Sequence, residues 1–290
     1  MRYDEKMTNY ANSDALVDAA WLAAHLDDAS VKILDASWHL PPTGRDGRAE
    51  YAQAHIPGAG YFDIDALSDR SSSLPHMLPT PAAFSTGVGA LGIGSGDHVV
   101  VYDAEGLFSA PRVWWMFRIF GHDSVSVLAG GLRAWRAAGH PVTADVRVPA
   151  PQAFEAGFRP KMVRTLADMQ ANLASAAEQV LDARAEARFT GAEPEFRPGL
   201  RSGHIPGSVN LPFPNLVDPA TGSFLSADGL RAAFDAAGVD PAKPIATSCG
   251  SGVTACILGL GLHLIGRDDW AVYDGSWTEW GGHPETAVET

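Results

Sequence analysis

Two cysteines in 290 residues leave nothing from which to build a disulfide framework, so the fold must rest on buried apolar side chains. Basic residues are also scarce: 21 Lys and Arg stand against 34 Asp and Glu, a net charge of −13. That balance argues against nucleic acid and anionic membrane as partners, because both call for positive surface. No apolar run approaches membrane-spanning length. The first ten residues hold early acidic side chains and no apolar core, which speaks against secretory or mitochondrial targeting. With so few cysteines, a reducing cytoplasmic setting is expected. Neither a metal-ligand spacing nor a phosphate-binding glycine loop is present. What the chain does have is 46% hydrophobic residues, enough for a large core, over a length that suggests two domains.

The halves repeat one another. Val31-Lys-Ile-Leu-Asp35 answers Gln179-Val-Leu-Asp182, and His55-Ile-Pro-Gly answers His204-Ile-Pro-Gly. Gly96-Asp-His-Val-Val-Val-Tyr-Asp103 answers Lys243-Pro-Ile-Ala-Thr-Ser-Cys249, and Val127–Trp135 answers Val272–Trp280. Asp103 lies 68 residues after Asp35, and Cys249 lies 67 after Asp182. Matched blocks in one order at one spacing indicate tandem duplication. Within each half, short apolar runs alternate with helical stretches such as Ala82–Leu91 and Ala227–Ala237, the pattern of an α/β domain with a mostly parallel sheet. The proline-containing stretch 142–160 reads as an ordered surface linker. The expected division is 1–145, a linker 146–162, and 163–290.

Cys249 is the residue with the most chemistry. It ends an apolar run, is followed by Gly250-Ser251-Gly252, and precedes a helical segment from Val253 to Ile265. A strand–loop–helix of this kind turns successive N–H groups inward beside a helix N-terminus and favours an anion at its centre. A thiol there is favoured as the thiolate, the form that acts as a nucleophile. The glycines flanking Ser251 argue against the alternative, an ordinary buried cysteine.

Over nearly its full length the chain resembles the tandem-domain rhodanese family of sulfurtransferases. The loop Cys249-Gly-Ser-Gly-Val-Thr-Ala255 is similar to that of its 3-mercaptopyruvate-using members, whereas thiosulfate-using members place basic residues after the cysteine. The resemblance implies two tandem rhodanese-like α/β domains, each a small mostly parallel sheet flanked by helices. Only the second is catalytic, and Cys249 carries a persulfide. It assigns the substrate to Arg188, Arg197 and the loop residues Gly250, Gly252, Val253 and Thr254. It further implies that Ser251 works with a histidine and an aspartate of the first domain, here His76 and Asp65. Phe196 departs from the proline often found beside Arg197. The resemblance implies no bound cofactor, and its sulfur acceptor is a thiol such as thioredoxin, or cyanide.

Physical chemistry agrees with the donor. Thiosulfate is a compact dianion served by basic residues at the loop, but the two positions after Cys249 are neutral. Mercaptopyruvate holds its charge away from its sulfur and needs guanidinium groups set back from the thiolate. His76 is open to two readings, a mechanistic one and that of a hydrogen-bonded loop histidine at the interface. Asp65 has a rival in Asp63, and either is compatible with a turn role. Asp103 cannot carry sulfur and Glu105 would repel anions, so the first domain is expected to be catalytically silent. Arg112 reads as structural, with Asp103 or another nearby carboxylate as partner and a contribution to the cleft as the alternative. Asp182 is a candidate for holding the active-site loop, and Cys256 for facing the core. The aromatic residues of 114–120, with Trp277 and Trp280, read as packing. Alternatives are a thiosulfate:cyanide sulfurtransferase and a non-catalytic rhodanese-like interaction module. A cysteine phosphatase is excluded, since its Cys-x5-Arg pattern would need arginine where Ala255 stands.

Overall fold

The short apolar runs become two five-stranded sheets with every strand paired in parallel, in a computed structural model that describes residues 9–290. The first sheet has the order β1 (Leu16–Val17), β5 (Val125–Leu128), β4 (His98–Tyr102), β2 (Val31–Asp35), β3 (Gly60–Tyr61). The second has the order β6 (Val163–Arg164), β10 (Trp270–Tyr273), β9 (Ile245–Ser248), β7 (Gln179–Asp182), β8 (Val209–Asn210). The two orders are the same when counted from the start of each half, so the sequence repeat is a repeat of topology. Parallel strands covered by helices on both faces read as near-continuous apolar runs, and Val99 to Tyr102 are all buried. The expectation about targeting falls on a segment that lies, but for its last two residues, outside the described part of the chain.

The helices begin where the sequence signals them. Pro81–Ala90 starts at a proline, and the Thr80 hydroxyl accepts the Ala83 N–H at 3.2 Å. Ala227–Ala236 is capped by Ser226, which accepts the Gly229 N–H at 3.3 Å. Among the described residues no helix is long and apolar enough to cross a membrane. The two His-Ile-Pro-Gly blocks do matching structural work. His55 forms a backbone bridge with Thr143 and stacks on Tyr51, while His204 bridges to Glu289 and stacks on Phe189. Each closes the end of its half back onto the domain.

After each middle strand comes a loop and then a buried helix, Ala110–Ile119 in the first half and Ala255–Leu264 in the second. These helices pack on one another, and one hydrophobic core runs through both halves. Trp114, Trp115, Phe117 and Phe120 are fully buried, with Trp114 stacked against Trp270 at 6.2 Å. Trp277 and Trp280 are buried in a separate cluster of the second half. The connecting segment runs over the first half: Gln152 N–H donates to Gly89 C=O, Gly157 N–H to Phe120 C=O, and Phe154 packs on Phe84 and Phe117. The helix-on-helix contact therefore brings the loop that opens each helix to the junction of the halves.

Candidate active site

Cys249 is the first residue beyond β9, and its loop is shaped from outside. The N–H of Cys249 donates to Ser276 Oγ at 3.2 Å. The C=O of Cys249 accepts from Trp277 N–H at 3.0 Å, and that of Gly250 from Thr278 N–H at 2.9 Å and its hydroxyl at 2.6 Å. In a trans peptide the N–H points opposite to the C=O, so holding these carbonyls outward turns the following N–H groups inward. Gly252 has φ +76°, and a Cβ there would lie 2.7 Å from the Asp274 carbonyl oxygen, so only glycine fits. Among the described residues no protein acceptor takes the N–H of Gly250, Ser251, Gly252, Val253 or Thr254. The loop is a cradle of unspent donors at a helix N-terminus, with Cys249 inside it.

Two guanidinium groups stand over this cradle. A Cβ on Gly250 would sit 3.2 Å from Arg188 Nη2 and 3.9 Å from Arg197 Nη1, so a long basic side chain at that position would run into both. Arg188, on the short helix Glu186–Phe189, pairs with Glu195. Glu195 also accepts from Arg184 Nη1 at 2.7 Å, and Arg184 in turn grips Asp182. Arg197 forms no ion pair or hydrogen bond with a carboxylate among the described residues, and burial holds its pKa below the ordinary arginine value, offset in part by the more distant Glu195 and Asp65. Phe196 lies under both groups, its ring centre 4.9 Å from the Arg188 and 5.0 Å from the Arg197 guanidinium carbon. The departure from proline thus supplies an aromatic floor for both arginines.

The cavity in front of Cys249 measures about 310 Å³ and is walled by both halves. Trp38 and Phe108 come from the first domain and stack at 6.2 Å, with Phe213 of the second domain edge-on to Phe108 at 5.7 Å. No sequence signal marks these aromatics: Trp38 and Phe108 sit in loops of the first half whose approach to Cys249 depends on the domain contact, and Phe213 opens a short 3-10 helix of the second half. Arg184 and Glu195, which set the position of Arg188, were likewise not singled out.

His76 and Asp65 come together: His76 Nδ1 is 2.8 Å from Asp65 Oδ1, and Trp38 Nε1 donates to Asp65 Oδ2 at 3.0 Å. The His76 contact lowers the Asp65 pKa against the opposing effect of burial. Asp63 is not a rival, because Arg48 and the Ala66 N–H occupy its carboxylate. His76 is buried with φ +62°; its Nε2 lacks any hydrogen-bond partner, and its Nδ1 meets Asp65 as a close contact without hydrogen-bond geometry. No hydrogen bond joins it to Ser251 among the described residues; the expected trio is present as a pair plus a separate hydroxyl in the cavity wall.

Two further expectations, for Asp182 and Glu105, are corrected. Asp182 does not hold the cysteine loop; its carboxylate takes three contacts from the Arg184 side chain. Of the two partners expected for Arg112, it takes the other nearby carboxylate, meeting Asp274 at 2.7 Å and not Asp103. Glu105 is not a free negative charge, being paired with Arg45. Asp103 itself accepts five backbone N–H groups at 2.7–3.0 Å, from Glu105, Gly106, Phe108, Ser109 and Ala110. Cys256 is buried and faces the core, its thiol donating to Gly252 C=O, and burial raises its pKa. Among the described residues no three His, Cys, Asp or Glu side chains gather as a metal site would require.

Comparison with known proteins agrees with this architecture. The profile of the Rhodanese-like domain matches residues 18–138 and 165–283. The chain is 48% identical to human 3-mercaptopyruvate sulfurtransferase over 272 residues, covering 92% of this chain and 91% of that protein. It is 47% identical to bovine thiosulfate sulfurtransferase over 283 residues, covering 94% and 95%. The crystal structure of SseA from Escherichia coli, described among 3-mercaptopyruvate sulfotransferases, superimposes with a TM-score of 0.84 at 41% identity, covering 91% of this chain and 98% of that one. Two copies of one sheet topology, the second carrying a cysteine in an anion cradle, together with these matches, establish that the chain belongs to the rhodanese family in its tandem-domain form.

Proposed function

We propose that the protein is a sulfurtransferase that takes sulfur from 3-mercaptopyruvate onto Cys249. The observation that carries this reading is Arg197, without an ion pair among the described residues, standing with Arg188 over a cysteine loop whose own side chains are neutral. That is the arrangement a carboxylate at a distance from the reacting sulfur calls for.

In this reading the Cys249 thiolate attacks the sulfur of mercaptopyruvate while Arg188 and Arg197 hold its carboxylate and keto oxygens. The new S–S bond forms as the C–S bond breaks, and the electron pair of that bond moves into the enolate of pyruvate. Cradle N–H groups and the two arginines stabilise the developing charge. Protonation of the enolate carbon releases pyruvate, with Ser251 and the Asp65–His76 pair as the supporting groups. The outer sulfur of the Cys249 persulfide then passes to a thiol of the thioredoxin kind, or to cyanide, and no cofactor takes part. A covalent intermediate between half-reactions predicts ping-pong kinetics. The first half, divided from the second by the connecting segment 146–162, contributes walls and positioning rather than turnover. A cytoplasmic location belongs to the same proposal.

Thiosulfate is the second donor to consider, because a relative of almost equal identity bears that name. The test is sulfur transfer to cyanide from each donor, with Cys249→Ser alongside. Preference for mercaptopyruvate, lost in the variant, is the expected result. Preference for thiosulfate would overturn the argument from the neutral loop, and transfer surviving in the variant would remove Cys249 from the chemistry.

A further inference from the structure

Arg112 is fully buried, on a helix otherwise committed to the apolar core between the halves. Burying a guanidinium is costly unless every contact is well made, and packing alone would be better served by an apolar side chain. What its donors hold is therefore informative. Nη1 lies 2.7 Å from Asp274 Oδ1 and donates to Gly252 C=O at 3.2 Å; Nη2 donates to His76 C=O at 2.5 Å. Its face covers the Trp115 ring at 4.6 Å. Asp274 uses its second oxygen to accept the Leu78 N–H at 2.8 Å. One ion pair thus grips both segments that the site needs: the glycine of the cysteine loop and the backbone that presents His76.

Both grips fall where the backbone is unusual. Gly252 and His76 have φ of +76° and +62°, and for a non-glycine residue such as His76 that conformation persists only when its surroundings impose it. Because a trans peptide points its two polar groups in opposite directions, fixing Gly252 C=O toward Arg112 turns Val253 N–H away from Arg112, on the side of the loop that Cys249 heads. We propose that Arg112, locked by Asp274, is a positioning residue for sulfur transfer: reaching from the silent half, it aims the Gly252–Val253 peptide into the thiolate cradle and holds the His76 backbone in place. It touches neither Arg188 nor Arg197, so it governs the reacting sulfur and not the capture of the donor. The kinetic part of this inference rests on the sulfurtransferase reading above; the state of the cradle does not.

The test is Arg112→Lys, which keeps the charge opposite Asp274 but removes the fork that reaches two carbonyls. Three quantities are measured: kcat and KM for mercaptopyruvate, the rate at which iodoacetamide modifies Cys249 (located by mass spectrometry), and the melting temperature. The expected result is kcat reduced about 10- to 100-fold at unchanged KM, as for small misplacement of a reacting group, with alkylation of Cys249 slowed. A folded variant with wild-type kcat and alkylation, altered only in melting temperature, would show a purely structural role and overturn the proposal. A raised KM with unchanged kcat would overturn it too. Should the lysine variant fail to fold, Asp274→Asn releases the guanidinium from its lock and is read the same way. If the wild-type protein transfers sulfur from neither donor, the function reading fails, and the alkylation comparison alone still decides the role of Arg112.

Discussion

Asp103 and Cys249 occupy the same place in their respective sheets, one residue beyond the middle strand and just ahead of a buried helix. In the first half the loop donors converge on the Asp103 carboxylate, which accepts five of them. In the second, the corresponding donors have no protein acceptor among the described residues, and a thiol stands where the carboxylate would be. The same geometry is a structural knot in one copy and an anion site in the other. Its tolerance for negative charge is a property of the strand–loop–helix turn, expressed in both halves; what distinguishes them is whether the chain supplies the anion itself. The arginines show the same division. Arg45 in the first half is neutralised by Glu50 and Glu105, whereas Arg197 in the second has no ion pair among the described residues.

Cys249→Asp would give the second half the chemistry of the first. Sulfur transfer should fall by more than about 10⁴-fold, the scale on which removal of a nucleophile acts. At the same time the new carboxylate should find the waiting N–H groups and raise stability by about 1 kcal/mol, a shift of roughly 2–4 °C in melting temperature. Calorimetry showing no gain, or a loss, would mean that the second loop does not aim its donors at that point, and the parallel between the loops would break.

The reverse change, Asp103→Ala, strands five donors, three of them buried. A loss of about 3 kcal/mol or more is expected in urea unfolding, because unsatisfied buried groups forfeit their full desolvation cost. Sulfur transfer measured well below the transition should be unchanged. A fall in rate without a fall in stability would mean that the first loop takes part in turnover, and that the halves are less separate than proposed here.

The duplication, the cysteine loop and the two arginines were legible because each is local: a contiguous motif, or residues within one short segment. The sheet order followed from the repeat and the alternation of apolar runs with helices. Contacts between distant segments were not legible. Arg112 and Gly252 are 140 residues apart, and nothing in a helix rich in Trp and Phe announces which carbonyls its one early arginine will meet. Trp38 and Phe108 are ordinary loop aromatics until the domain contact places them over Cys249. Asp182 looked like a loop anchor because it ends a strand, yet Arg184, two residues on, captures it. Asp65 and His76 were legible only through family resemblance, and their closeness to each other did not extend to a hydrogen bond with Ser251.

The smallest expected effect concerns what the first half still lends to the second. The Asp65 pKa is lowered, chiefly by its contact with His76, so the carboxylate is held more tightly folded than unfolded. For a depressed acid the sign is fixed: the contribution is fully present above the unfolded value near about 3.9 and is lost as pH falls through the lower folded value. The Asp65 side chain is 56% exposed, so solvent screening should keep the contribution below about 1 kcal/mol. Melting temperatures of the wild-type protein and Asp65→Asn should therefore differ by a constant margin above pH of about 4 and converge below it. A margin that persists unchanged to lower pH would mean that the carboxylate's charge is not what His76 holds. The pair would then be a packing contact of the first half, and Cys249 would work with the arginines and cradle of its own domain, without an acid–base partner from across the junction.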